Sequence, residues 1–212
     1  MGMLERKLGF LAHNWFKILM ALLALAGAIL VLIELITVSN VLSQSSLIPA
    51  DAENPLLTAD ARVAGMTSSL WFDIGLLIGL VAILVALVLS MFGKKKFAGY
   101  SFGIGGLIAL VIFIVALAIS MPYLSALSDT INASKTTYDG AVQALAAGAP
   151  GVTQEMVNGA YLQWQSAILS YQQAIFSNVI NIFVFALLPL FFGIKKICKA
   201  CCKKEAEAPT AK

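Results

Sequence analysis

The chain has 212 residues, of which 60% are hydrophobic and 12% charged, with a formal net charge of +3 and a mean hydropathy of +0.90. That balance excludes an ordinary water-soluble domain and leaves little chain for a large separate one. A single histidine, His13, excludes a histidine metal cluster built from this chain alone.

Residues 1–17 mix Leu4, Leu8, Phe10, Leu11 and Phe16 with Glu5, Arg6, Lys7 and His13. This pattern predicts a short cytosolic interfacial helix leading into a first span. The apolar run 18–36 follows. Its basic start and the Ala24-Leu25-Ala26 triplet imitate a signal peptide. The run continues for ten more residues, so a membrane span is expected instead. The opening Met-Gly-Met-Leu-Glu-Arg lacks the Ser or Thr of a myristoylation signal. Residues 37–73 are rich in Ser, Ala and Asp and carry Pro49 and Pro55. They predict an irregular external segment with a short helix near Leu57–Met66.

The second span is predicted at 74–92, a cytosolic turn at 93–101 and the third span at 102–121. Each run approaches the ~20 residues that cross ~30 Å of hydrocarbon as a helix. A turn this short makes the second and third spans antiparallel neighbours. In 122–174, Val152, Met156, Ala160, Trp164, Ile168 and Tyr171 recur at helical spacing. Leu124, Leu127, Ile131, Tyr138, Val142 and Leu145 precede them at roughly helical intervals, and Gly148-Ala-Pro-Gly151 separates the two sets. The expectation is two helical arms, with Pro122 and Gly140 as places for a kink. The fourth span is predicted at 175–193. The basic, cysteine-bearing tail, 195–212, is expected to be disordered from Lys203 onward.

The fold expected is therefore an all-α membrane protein. It is a four-transmembrane-helix bundle whose third and fourth spans extend into an extracytoplasmic helical hairpin. Residues 18–194 form one membrane domain between the segment 1–17 and the tail.

Charge fixes the expected threading. Of 14 Lys and Arg, 12 lie in three groups: Arg6, Lys7 and Lys17; Lys94, Lys95 and Lys96; and Lys195, Lys196, Lys199, Lys203, Lys204 and Lys212. The segments 37–73 and 122–174 hold only Arg62 and Lys135, against seven carboxylates. Basic flanks stay cytoplasmic, which puts both termini inside a multi-pass protein of the cell membrane. Four spans require the same. The positive fringe faces lipid headgroups, not nucleic acid. Trp15 and Trp71 lie near span ends, where amphipathic aromatics anchor.

Small residues lie where membrane helices approach closely. Gly75 and Gly79 form a small-xxx-small pair that Ala82 and Ala86 extend. The face serves packing among the four helices or association with a second copy. Polar candidates within the spans or at their ends are Glu34, Asp73, Asn178 and Asn181. Cys198, Cys201 and Cys202 lie beside the membrane among lysines. Lipidation, free thiols and metal binding stay open there, although zinc wants four ligands. Asn132-Ala133-Ser134 is an acceptor sequon for glycosylation. No Walker A, HExxH, GxSxG or dinucleotide fingerprint occurs. Neither an enzyme nor a cofactor is expected.

Four spans, inside termini, a small first and a larger second external segment and juxtamembrane cysteines resemble the layout of tetraspanins. The family's Cys-Cys-Gly motif and outer cysteines have no counterpart here. Ser69-Leu70-Trp71 is a faint echo of the claudin Gly-Leu-Trp, without its cysteines. Four-span large-pore channels likewise rely on external disulfides. No functional residue is carried over. The expected function is a membrane scaffold or adaptor whose partners are the bilayer, other membrane proteins and itself. The alternative is a small oligomeric channel or transporter subunit, or an accessory subunit of a larger complex.

Overall fold

The structure, a computed structural model, describes the backbone of residues 3–44, 54 and 56–206, and the side chains of 9, 10, 12–44, 54 and 56–199. All regular structure among the described residues is helical. Helix α1 is Met3–Leu42, α2 Ala59–Met91, α3 Lys95–Ala146 and α4 Gln154–Ile182. One π-helical turn, Phe183–Leu187, joins α4 to α5, Leu188–Ala206. Four stretches are long and apolar enough to cross a bilayer: Ala12–Leu42, Ala59–Met91, Lys95–Ala146 and Gln154–Lys199. They contain the predicted spans 18–36, 102–121 and 175–193 whole, and the second, 74–92, all but Phe92; this is the architecture of a multi-pass helical membrane protein.

Helix boundaries follow local chemistry. In α1, the interfacial segment and the first span are one continuous helix. The Thr37 hydroxyl donates to the Ile33 carbonyl at 2.9 Å, and the helix continues to Leu42. Helix α2 starts earlier than the apolar run because Thr58 caps it. Its Oγ1 accepts the Ala61 amide at 3.2 Å, and Asp60 sits in the first turn, where a negative charge is favoured. The short helix expected near Leu57–Met66 is thus the first part of α2. Of the segment 37–73 expected to be irregular, 37–42 and 59–73 are therefore helical, and 45–53 and Pro55 lie outside the described residues.

Both sharp reversals end in glycine. At Gly93, φ is +75°. The Lys94 amide donates to Leu89 O and the Gly93 amide to Ser90 O, a Schellman closure. The predicted nine-residue turn is therefore only three residues long, and α3 begins at Lys95. At Gly148, φ is +68°, and the amides of Ala149 and Gly148 donate to Ala144 O and Leu145 O. Thr153 then caps α4 by accepting the Met156 amide. Neither Pro122 nor Gly140 interrupts α3.

The π turn has a chemical cause. Pro189 has no N–H to give to the Phe185 carbonyl, and its ring crowds that oxygen. The helix widens one turn before it, and the Leu188 amide donates to Phe183 O. The helix then runs to Ala206, past Lys203, where a disordered tail was expected. Residues 207–212 lie outside the described part.

The chain forms two compact units. Unit 1 comprises Met1–Thr37, Trp71–Ile114 and Asn181–Lys212, and unit 2 comprises Val38–Leu70 and Val115–Ile180. Unit 1 has a core of small residues: Ala21, Ala24, Ala28, Ala82, Ala86, Ala98, Ala109 and Ala186 are buried. Its one large fully buried side chain among the described residues is Phe113, stacked on Phe72 at 5.4 Å. Unit 2 packs with larger groups. Tyr138 stacks on Trp164 at 5.6 Å and an 18° interplanar angle, and Tyr161 closes the cluster. Val157, Ala160 and Ala167 are buried on α4, while Met156, expected on that face, is 57% exposed.

Candidate functional site

In unit 1, glycine replaces side-chain contact with backbone contact. A Cβ on Gly75 would lie 2.6 Å from the Phe113 ring, and one on Gly79 would lie 2.8 Å from Phe185 O. Phe185 O is the carbonyl that Pro189 leaves without its helical donor. A Cβ on Gly105 would collide with the Ala82 side chain. On α3, Gly106 admits the backbone of Ala186 and Leu190 at 2.8 and 2.7 Å from its absent Cβ, and Gly103 meets Gly193 backbone to backbone. The Ser101 hydroxyl adds a bond to Ala82 O at 3.0 Å. Gly75, Gly79, Ala82 and Ala86 are thus filled from within this unit, Ala86 being 0% exposed.

Described parts of the three basic groups meet around one end of unit 1. Phe10 packs on Phe92, two residues before Lys94, at 6.4 Å. Gly99 faces the Lys196 side chain, whose ammonium lies 5.0 Å above the Phe102 ring. The Lys17 ammonium donates to Asn14 Oδ1 at 3.0 Å.

The intramembrane polar candidates differ in burial. Asp73 on α2 is only 5% exposed, and its Oδ2 has no hydrogen-bond partner among the described residues. Glu34 on α1 interacts with it electrostatically but is itself exposed. Asn178 and Asn181 are half-buried, three residues apart along one helix. Asp73 is the polar group hardest to place, because an ionised carboxylate removed from water costs far more than it gains without a counter-charge.

Unit 2 holds a partly polar cavity. A groove of about 720 Å³ runs along α3 and α4, lined by Thr130, Ser134, Thr137, Gln163, Ser166 and Ser170, with Leu127 and Ala167 among its apolar residues. Asn54 closes one side and donates from Nδ2 to Thr130 Oγ1 at 2.9 Å. None of its lining residues among the described residues is charged. Ser134, the hydroxyl residue of the sequon, lines it, while Asn132 is exposed within α3.

Cys198 is exposed and free. Cys201 and Cys202 continue the helical backbone of α5, but their side chains lie outside the described residues. Among the described residues no group of three or more His, Cys, Asp and Glu converges.

Sequence reasoning overlooked the serines that bond across helices. The Ser68 hydroxyl donates to Ala116 O at 2.8 Å within unit 2, as Ser101 does within unit 1. A lone serine in an apolar run is the signal, but it does not say which helix receives the bond. No protein-family model matches the chain, and neither a curated protein nor a solved structure matches it.

Proposed function

We propose that the protein is an integral membrane scaffold or adaptor, with cytoplasmic termini and an outer helical hairpin that contacts partners. The observation that carries this reading is the length of α3. Its 52 residues extend about 78 Å at 1.5 Å per residue, whereas the hydrocarbon layer is ~30 Å thick. Residues 122–174 thus supply two helical arms beyond the bilayer, joined through Gly148–Gly151. The clustering of lysines at one end of unit 1 supports the orientation, since that end suits the anionic cytoplasmic leaflet. In this threading Cys198, Cys201 and Cys202 meet the inner headgroups, where acylation would tether the tail, and Asn132 faces the glycosylation machinery.

Purification from native membranes in mild detergent tests the reading. A reproducible set of membrane companions that is lost when residues 130–170 are replaced by a short linker is the expected result. A particle without companions, unchanged by that replacement, would overturn it.

Asp73 favours a second reading, a subunit of a small oligomeric channel or transporter. Buried carboxylates in membrane helices often mark ion or proton paths. Solute flux in liposomes, abolished by Asp73→Asn, would establish it over the scaffold.

A further inference from the structure

We infer that α4 pairs with α4 of a second copy of this chain, in parallel, along an outward stripe of Leu162, Leu169 and Phe176. These side chains are 67%, 63% and 68% exposed, and they recur every seven residues. The proposal rests on the reading that residues 122–174 stand beyond the bilayer, because there lipid covers neither Leu162 nor Leu169; Phe176 carries the seam into the start of the fourth span.

The stripe is a second apolar face of α4. The inward face is already filled: Val157, Ala160 and Ala167 are buried and Trp164 stacks on Tyr138. At 100° per residue, Leu162, Leu169 and Phe176 lie on the opposite side of the helix. Packing within unit 2 therefore does not account for them. A seven-residue recurrence is the spacing at which two helices wind about each other and keep one seam in contact.

The geometry of the stripe includes a receptor for a knob. Leu169, Gln172, Gln173 and Phe176 stand at i, i+3, i+4 and i+7, the four corners of a hole in knobs-into-holes packing. They line a recess of about 680 Å³ on the surface of α4. The partner supplies leucines at the same interval when it is the same helix.

Charge and the membrane select that partner. From Met156 to Ile194 the chain has no Asp, Glu, Lys, Arg or His. Two copies of this face meet without like-charge repulsion, while a highly charged partner helix finds no counter-charge. Copies threaded alike in one bilayer relate by a two-fold axis along the membrane normal, which sets α4 parallel to α4. Parallel pairing brings Leu162 to Leu162, Leu169 to Leu169 and Phe176 to Phe176. The flanking Gln172 and Gln173 then exchange hydrogen bonds across the seam. The span-two glycine face, the other sequence candidate for self-association, is occupied from within unit 1.

Single-cysteine crosslinking in native membranes tests the seam. In a Cys198→Ser, Cys201→Ser, Cys202→Ser background, Leu162→Cys, Leu169→Cys and Phe176→Cys are oxidised with copper phenanthroline, with Val142→Cys on α3 as control. Disulfide dimers at the three stripe positions and not at the control are expected. Crosslinks that are absent, or equal at all four sites, would overturn the pairing. Leu162→Glu with Leu169→Glu provides a second measurement. The dimer by light scattering in mild detergent should become a monomer with unchanged helical circular dichroism. A dimer that survives both glutamates argues against the seam. An impermeant maleimide on intact cells separates the two readings. Leu162→Cys labelled but uncrosslinked overturns the pairing and leaves the exterior arms standing. Stripe crosslinks without labelling support the pairing and remove the exterior placement.

Discussion

Glycine serves unit 1 and unit 2 differently. In unit 1, Gly75, Gly79, Gly105, Gly106 and Gly193 are places where another helix occupies the space a methyl would take. In unit 2, Gly140 and Gly159 meet nothing within 4 Å, and Gly148 and Gly151 serve to reverse the chain. Gly65, under the Tyr123 ring, is the close-packed exception. The contrast teaches how each unit is held. Where lipid competes equally for apolar side chains, helices gain by bringing backbones together. Unit 2 instead uses the Tyr138, Tyr161 and Trp164 cluster and side-chain hydrogen bonds such as Asn54 to Thr130.

Substitutions can break that contrast from either side. Of four substitutions compared, the largest effect is expected for Gly106→Ala, because its Cβ would press on backbone atoms that cannot rotate away. A loss of about 2–3 kcal/mol is expected, seen as a lowered thermal midpoint of the monodisperse particle in detergent. An unchanged midpoint would mean the helices are not in backbone contact. Trp164→Ala in unit 2 should cost about 2 kcal/mol, less than a wholly buried tryptophan, since the ring is half-buried. Denaturant titration followed by tryptophan-independent circular dichroism reads this. Gly148→Ala should cost about 1–2 kcal/mol by forcing a side chain into the left-handed region. Gly140→Ala gives the smallest effect and the opposite sign. Open space in mid-helix predicts a gain of about 0.5–1 kcal/mol. A penalty at Gly140 as large as that at Gly106 would erase the distinction between the units.

The four apolar runs were legible because burial in lipid demands long uninterrupted hydrophobicity. The reversal at Gly148–Gly151 was legible because glycine and proline chemistry is local. What stayed hidden depends on partners elsewhere in the chain. Gly79 reads as one half of a common pair, and only the fold shows it against the carbonyl released by Pro189. The boundaries of α2 and α3 were set too narrowly by hydropathy. Thr58 starts α2 while the chain is still moderately polar, and Lys95 begins α3 despite its charge. Asp73 was visible as a carboxylate at a span end, but its burial was not, since burial depends on the helices packed around it.

Spin-label accessibility along α3 tests the central claim most directly. Nitroxides at Ile108, Val111, Ile114, Lys135 and Val142 in reconstituted bilayers report collision with oxygen, which concentrates in lipid, or with a polar nickel chelate in water. The account predicts that Ile108, Val111 and Ile114 favour oxygen, while Lys135 and Val142 favour the chelate. Oxygen-dominated collisions at Val142, at the level of Ile114, would place the far end of α3 in the hydrocarbon and contradict it.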